Sequence, residues 1–269
     1  MKIKFLSIVL LSACFSFAKA AIVDTVNVFS SAMNKNVPVV VIKPEKKAVA
    51  FPVVYLLHGH GDDHTGWITK KPELADLAEK NEMIIVCPNA ERSWYMDCPA
   101  KPEWKYETFT SKELIEYIDT HYPTIKDRKG RAITGLSMGG HGAMFLSMRH
   151  KDIFGAAGSM SGGVDIRPFP NNWTLQELLG PESENREVWE EHAAINQIDR
   201  LKDGDLAIFL DCGKDDFFFE INNDFHNKLN KYKINHDYIV RPGGHTWPYW
   251  INAVEYHLLF FKNFFDKQK

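Results

Sequence analysis

Short, unbroken apolar runs bounded by proline and glycine recur along this chain, and they restrict it to a sheet covered on both faces. Val37-Pro38-Val39-Val40-Val41-Ile42, Phe51 to Leu57 and Ile84-Ile85-Val86-Cys87 come first, and Arg131 to Thr134, Gly155 to Met160, Leu206 to Leu210 and His236 to Val240 continue the series. A strand with one wet face alternates polar and apolar residues. These runs do not, so their pattern predicts strands of a mostly parallel sheet with helices on both sides. Helical spacing lies between them, over Glu73 to Asn81, Met138 to Arg149, Phe219 to Lys231 and Trp247 to Phe265. The clearest helix start is Thr110-Ser111-Lys112-Glu113, which has the form of a capping box: the hydroxyl would accept from the N3 amide while Glu113 reaches back to the cap. Leu114, Ile115, Ile118 and Tyr122 then form an apolar stripe. The repetition predicts one α/β domain over 21–269 without internal repeats. Gly162 to Arg200 interrupts it with a longer, more polar stretch carrying Pro168, Pro170, Trp173, Pro181 and Trp189. A connection of that length is expected to be a lid-like insertion over a site.

Composition narrows the function. The chain has 269 residues, a formal charge of −3 and 45% hydrophobic residues, a balance that excludes a disordered chain. Without a run of Lys or Arg there is no electrostatic footprint for nucleic acid. Lys2 and Lys4, the apolar stretch Phe5 to Ala13 and the small-x-small Ala18-Lys19-Ala20 are the three parts of a signal peptide over 1–20, so a periplasmic or secreted location is expected. The apolar stretch is too short to span a bilayer. Leu11-Ser12-Ala13-Cys14 also resembles a bacterial lipobox, which would make the protein a lipoprotein anchored through Cys14. Cleavage after Ala20 is favoured, because Phe15-Ser16-Phe17-Ala18 continues the apolar segment. The mature chain then keeps Cys87, Cys98 and Cys212, enough for one bridge at most; three buried free thiols are the alternative.

The chemistry concentrates in three places. Gly135-Leu136-Ser137-Met138-Gly139 follows a strand and precedes a helix, the setting of a nucleophile elbow, in which a strained turn exposes the serine Oγ and small neighbours let strand and helix approach. A serine hydroxyl needs a base, and the base needs an acid to fix its tautomer. His245, in the glycine loop Arg241-Pro242-Gly243-Gly244-His245 after the last strand, is the candidate base, ahead of His141, His150, His192, His226 and His257. Asp216 is the candidate acid in Asp211-Cys212-Gly213-Lys214-Asp215-Asp216, with Asp215 second and Asp211 expected to order the loop by accepting backbone N–H bonds. The third place is Leu56-Leu57-His58-Gly59-His60-Gly61-Asp62-Asp63-His64, a strand end that should offer a backbone N–H to an oxyanion, partnered by the N–H of Met138. A rival reading makes His58, His60, Asp62 and His64 a metal site, but the spacing lacks the ligand logic of one, so neither metal nor other cofactor is expected.

Together these motifs, with Trp67, Ser93-Trp94-Tyr95-Met96-Asp97, Gly140-His141-Gly142-Ala143, Ser159-Met160-Ser161-Gly162 and Gly243-Gly244-His245-Thr246-Trp247, resemble the esterase D-like family of α/β hydrolases over about Val37 to Phe265. That family includes S-formylglutathione hydrolases, tributyrin-type, feruloyl and acetylxylan esterases, and mycolyl transferases. The resemblance implies an α/β-hydrolase fold in which Ser137 is the nucleophile, Asp216 the acid and His245 the base, with the His60 and Met138 amides as oxyanion donors. It implies a small-molecule or polysaccharide-linked acyl ester as substrate, hydrolysed without a cofactor. Transfer of the acyl group to a sugar or lipid alcohol, S-formylglutathione-type thioester cleavage, and an inert hydrolase-fold binding protein are the alternatives. Trp94, Tyr95 and Trp173 are expected to line the substrate pocket, core packing being their other reading.

Overall fold

The computed structural model describes residues 21–268. Eight strands form one sheet: β1 (Ile22–Ser30), β2 (Lys35–Lys43), β3 (Val53–Leu57), β4 (Ile84–Pro88), β5 (Arg131–Gly135), β6 (Ala156–Met160), β7 (Ala207–Gly213) and β8 (Asp237–Arg241), in the order β1-β2-β4-β3-β5-β6-β7-β8. β2 pairs antiparallel with β1 and β4, and every other pairing is parallel. All five residues of β3, β4, β5 and β6 are buried. This is why those segments read as unbroken apolar runs.

Strand periodicity divides the core in two. Val53, Tyr55, Leu57, Val86 and Ile133 point to one face; Val54, Leu56, Ile85 and Ala132 point to the other. The first face is covered by α4 (Leu114–His121), α5 (Met138–Arg149) and α8 (Phe219–Lys231), which bury Ile118, Phe145 and Phe225. The second is covered by α1 (Gly66–Lys70), α2 (Leu74–Asn81) and α9 (Trp247–Asp266), which bury Trp67, Leu74, Leu258 and Phe261. Each fully buried Val, Leu or Ile contributes about 1.5–3 kcal/mol relative to its exposed state.

Two expectations change. β1 was not foreseen from sequence: its outward residues include Thr25 and Asn27, and an edge strand that buries little lacks the dense apolar run that marks the central ones. The capping box does not form either. The helix already begins at α3 (Tyr106–Thr108) and continues through a π turn, Phe109–Glu113, into α4, so Thr110 lies inside it with its hydroxyl buried and without a hydrogen-bond partner. The first turn is held from a distance instead, where Asp97 accepts from the Thr108 N–H at 3.0 Å and from its hydroxyl at 2.6 Å. Glu113 turns to the β1–β2 connection, accepting from Ser30 Oγ at 2.5 Å and Ala32 N–H at 2.9 Å.

The insertion after β6 carries α6 (Leu175–Leu179), α7 (Arg186–His192) and a 3-10 segment, Ala194–Arg200. Leu175, Leu178, Trp189 and Ile198 join the first core face, and Arg167 forks onto Asp165 at 2.7–2.8 Å. The segment is a packed cap rather than a loose loop. Cys87, Cys98 and Cys212 are buried free thiols, so the single bridge weighed from the sequence does not form. Among the described residues no helix is long and apolar enough to cross a membrane. The signal segment and Cys14 lie outside the described residues.

Two buried histidines tie this packing to pH. His257 on α9 sits within 2.8 Å of Thr134 Oγ1 and edge-on to Phe209, and burial pushes its pKa down to about 3. Burial likewise pushes His141 down to about 4. Both rings stay neutral in the fold while an unfolded imidazole takes a proton below about pH 6.5. Stability is therefore complete above that value and lost as pH falls toward the folded values, with a slope of about 1.4 kcal/mol per pH unit for each ring. Urea unfolding at stepped pH should show this decline, and His257→Phe should flatten it by about one proton's slope; an unchanged slope would mean that His257 is charged in the native protein.

Candidate active site

The elbow forms because two chains cross where a side chain would not fit. A Cβ at Gly135 would stand 2.7 Å from the Gly139 carbonyl and from Leu57 Cβ, and one at Gly139 would stand 2.6 Å from the carbonyl oxygens of Leu57 and His58. With both positions bare, β5 turns directly into α5. Ser137 between them has φ 54° and ψ −116°, a conformation that non-glycine residues rarely adopt. The turn is pinned on both sides: Ser137 N–H donates to the Met160 carbonyl at 3.0 Å, and its own carbonyl accepts from His141 N–H at 3.0 Å and Gly163 N–H at 3.1 Å.

Three of the residues singled out from sequence meet here. His245 Nε2 lies 2.9 Å from Ser137 Oγ, and Nδ1 lies 2.9 and 3.0 Å from the two carboxylate oxygens of Asp216. The chain of partners fixes the tautomer: Nδ1–H donates to Asp216, leaving the Nε2 lone pair to accept from the serine hydroxyl. Asp216 is buried and also accepts from Phe218 N–H at 2.8 Å, whereas the Asp215 residue is exposed and donates its N–H to Gly243 O. Asp211 does not order its loop through backbone N–H bonds as expected; its carboxylate accepts from the side chains of Arg241 and Tyr249. The imidazole is flanked by Phe217 at 4.2 Å, Trp250 at 4.8 Å and Phe218 at 5.2 Å between ring centroids.

His60 and Ser137 line the same cleft, about 580 Å³ in volume, with Gly59, Trp173, Phe217 and His245. Met138 is buried at the first position of α5. Among the described residues neither the His60 nor the Met138 N–H donates to a protein acceptor, and the positive end of α5 lies at the same point. The loop bearing His60 is held by His58, whose Nδ1–H donates to Gly59 O at 2.8 Å and whose Nε2 accepts from Ala90 N–H at 2.9 Å. Burial lowers the His58 pKa, consistent with a neutral ring whose two nitrogens are both engaged. His60 Nε2 faces Thr174 Oγ1 at 3.4 Å. Among the described residues no group of three or more His, Cys, Asp or Glu side chains is placed to hold a metal ion.

Trp173 reaches the cleft, stacked on Phe217 with centroids 5.8 Å apart and planes 17° from parallel. Trp94 and Tyr95 do not line it, which corrects the expectation for both. Each is buried with positive φ, 57° and 61°, beneath the site. Trp94 Nε1–H donates to the Trp173 carbonyl at 3.2 Å, and the Tyr95 ring lies on Gly142 of α5. Tyr95 OH both accepts from His58 N–H at 2.9 Å and donates to His58 O at 3.2 Å. Phe217, Trp247 and Trp250 were missed, although their placement beside the Asp216 and His245 motifs was a usable signal. Deleting the Tyr95 hydroxyl leaves a buried N–H without its partner, so Tyr95→Phe should destabilise the fold by about 1–3 kcal/mol in urea titration.

Comparison with known proteins agrees with this geometry. Residues 30–261 match the family described as "Putative esterase". The chain is 26% identical over 263 residues to an acetyl esterase from Caldicellulosiruptor saccharolyticus, covering 86% of this chain and 96% of the relative. It is 33% identical to a ferulic acid esterase of known structure, with a TM-score of 0.78 over 91% of this chain and 99% of that one. An S-formylglutathione hydrolase from Staphylococcus aureus shares the fold, with a TM-score of 0.79 and 21% identity over 90% of this chain and 99% of that one. The chain belongs to this esterase family of α/β hydrolases, and the class of activity that membership carries is carboxylic-ester hydrolysis.

Proposed function

We propose that the protein is an exported serine carboxylesterase that removes acetyl and hydroxycinnamoyl-type acyl groups, including those carried on polysaccharides, through an acyl-enzyme. The observation that carries this reading is the unbroken relay from Asp216 through His245 to Ser137, opening on a cleft with an aromatic flank. Ser137 Oγ attacks the ester carbonyl while His245 Nε2 takes its proton, and Asp216 stabilises the imidazolium. The His60 and Met138 amides hold the oxyanion, worth about 2.7–4 kcal/mol per donor in comparable sites. Collapse expels the alcohol, which takes the proton from His245. Water, deprotonated by the same imidazole, then attacks the acyl carbon and frees the acid and Ser137.

The acyl group would lie against Trp173 and Phe217, a flat wall suited to a planar aromatic acid. Export is supported by the signal-peptide pattern of residues 1–20. An extracellular enzyme meets esters of wall polymers rather than the cytosolic glutathione thioester.

Hydrolysis of p-nitrophenyl acetate and methyl ferulate tests the assignment. Ser137→Ala and Asp216→Asn should each lower kcat by about 10⁴-fold or more with the fold intact; wild-type rates in Ser137→Ala would refute it. Trp173→Ala should raise KM for the ferulate by about tenfold, the effect of roughly 1.4 kcal/mol of lost contact, and leave the acetate KM nearly unchanged. Equal effects on both substrates would place the aromatic acyl group elsewhere.

A further inference from the structure

Asp211 lies on β7, five residues before Asp216 in the loop that follows the strand, is fully buried, and takes no part in the relay. Its two carboxylate oxygens reach different parts of the chain. Oδ2 accepts from Arg241 Nη2 at 2.7 Å, and Oδ1 accepts from the Tyr249 hydroxyl. Arg241 is the last residue of β8 and Tyr249 lies in the first turn of α9. His245 stands midway between them, four residues after Arg241 and four before Tyr249. One carboxylate thus grips both ends of the short loop that carries the imidazole, while its own strand runs on into the loop that carries Asp216.

Other contacts make the grip rigid. The Arg241 guanidinium lies 4.8 Å from the Tyr249 ring centre and 4.6 Å from that of Tyr256, and its Nη1 donates to Asn252 on α9. The two loops are stitched by Lys214 N–H to Arg241 O and Asp215 N–H to Gly243 O, both 2.9 Å. The Asp211 carbonyl accepts from Ser161 N–H at 2.7 Å, two residues before the Gly163 N–H that holds the Ser137 carbonyl. A buried ion pair is weak evidence for stability, and its better-attested use is to specify one arrangement among several.

We propose that Asp211, with Arg241 and Tyr249, is a positioning clamp that sets the distance of His245 from Asp216 and Ser137. The inference rests on the catalytic assignment of those three residues and adds to it three that touch neither substrate nor the reacting atoms. Displacing a catalytic group by about 1 Å can cost on the order of 10²-fold in rate without weakening substrate binding. Asp211→Asn replaces one acceptor by a donor facing Arg241 or Tyr249, and Tyr249→Phe removes a single hydroxyl.

The test combines kinetics on p-nitrophenyl acetate with proton NMR of the full chain, following the downfield Nδ1–H resonance of His245, identified by its loss in His245→Ala. The clamp predicts a fall in kcat of about 10²-fold for Asp211→Asn and on the order of tenfold for Tyr249→Phe, with KM unchanged and the resonance broadened or shifted in both. Tyr249→Phe keeps the test decisive should Asp211→Asn fail to fold. An intact resonance and wild-type kcat in Tyr249→Phe would overturn the proposal, as would a change confined to KM. The resonance needs no turnover, so absence of esterase activity in the wild type would sink the function assignment and still leave the clamp measurable.

Discussion

The crossing of β5 and α5 at Gly135 and Gly139 is the constraint on which the rest of the site depends. The carbonyls of Leu57 and His58 press so closely on Gly139 that even one methyl group would separate strand from helix. That closeness leaves Ser137 no relaxed backbone conformation. Its φ of 54° is held by hydrogen bonds from three directions, so the surroundings over-determine a strained residue. The same crossing places the start of α5, with its unpaired Met138 N–H, next to the loop that ends β3. Ser137 and the two free amides, the proposed nucleophile and oxyanion donors, therefore come from one piece of geometry, supported by a sheet whose central strands are buried on both faces.

Around that crossing the molecule uses buried polar groups to fix backbone. The Tyr95 hydroxyl holds both the N–H and the C=O of His58, and the His58 ring holds Gly59 and Ala90, which sets the course of the loop leading to His60. Tyr95 also packs on Gly142, so a single side chain registers the loop against α5. On the opposite side Asp216 accepts from a backbone N–H as well as from the imidazole, which limits its rotation. The cap contributes Trp173, with φ 48° and its carbonyl engaged by Trp94. Ser137 and Trp173 line the cleft with positive φ, and Trp94, Tyr95 and Thr174, which pack beneath or beside them, share that strained conformation.

What could be read from the sequence followed from how local its cause is. The central strands, the elbow at Ser137 and the position of His245 are written in short runs whose physical cause lies within a few residues, and the structure brings Ser137, His245 and Asp216 together. The start of the helix before Leu114 was misread because its cap, Asp97, acts from eleven residues upstream of Thr108, while Thr110 and Glu113 imitate a cap locally. β1 escaped because an edge strand needs little apolar content. Trp94 and Tyr95 carry no local sign of whether an aromatic ring faces a cleft or supports one; only the packing on Gly142 and the bonds to His58 decide it. The same holds for Asp211, whose partners lie 30 and 38 residues away.

The proposed chemistry requires Ser137 Oγ to become covalently acylated as His245 removes its proton. Rapid acid quench of the enzyme turning over p-nitrophenyl acetate, followed by peptide mass spectrometry, observes that bond directly. Acylation at Ser137 should place one acetyl group on the peptide containing it, formed in a burst with p-nitrophenol and absent in His245→Ala. Steady turnover with no adduct, or an acetyl group on another residue, would contradict it.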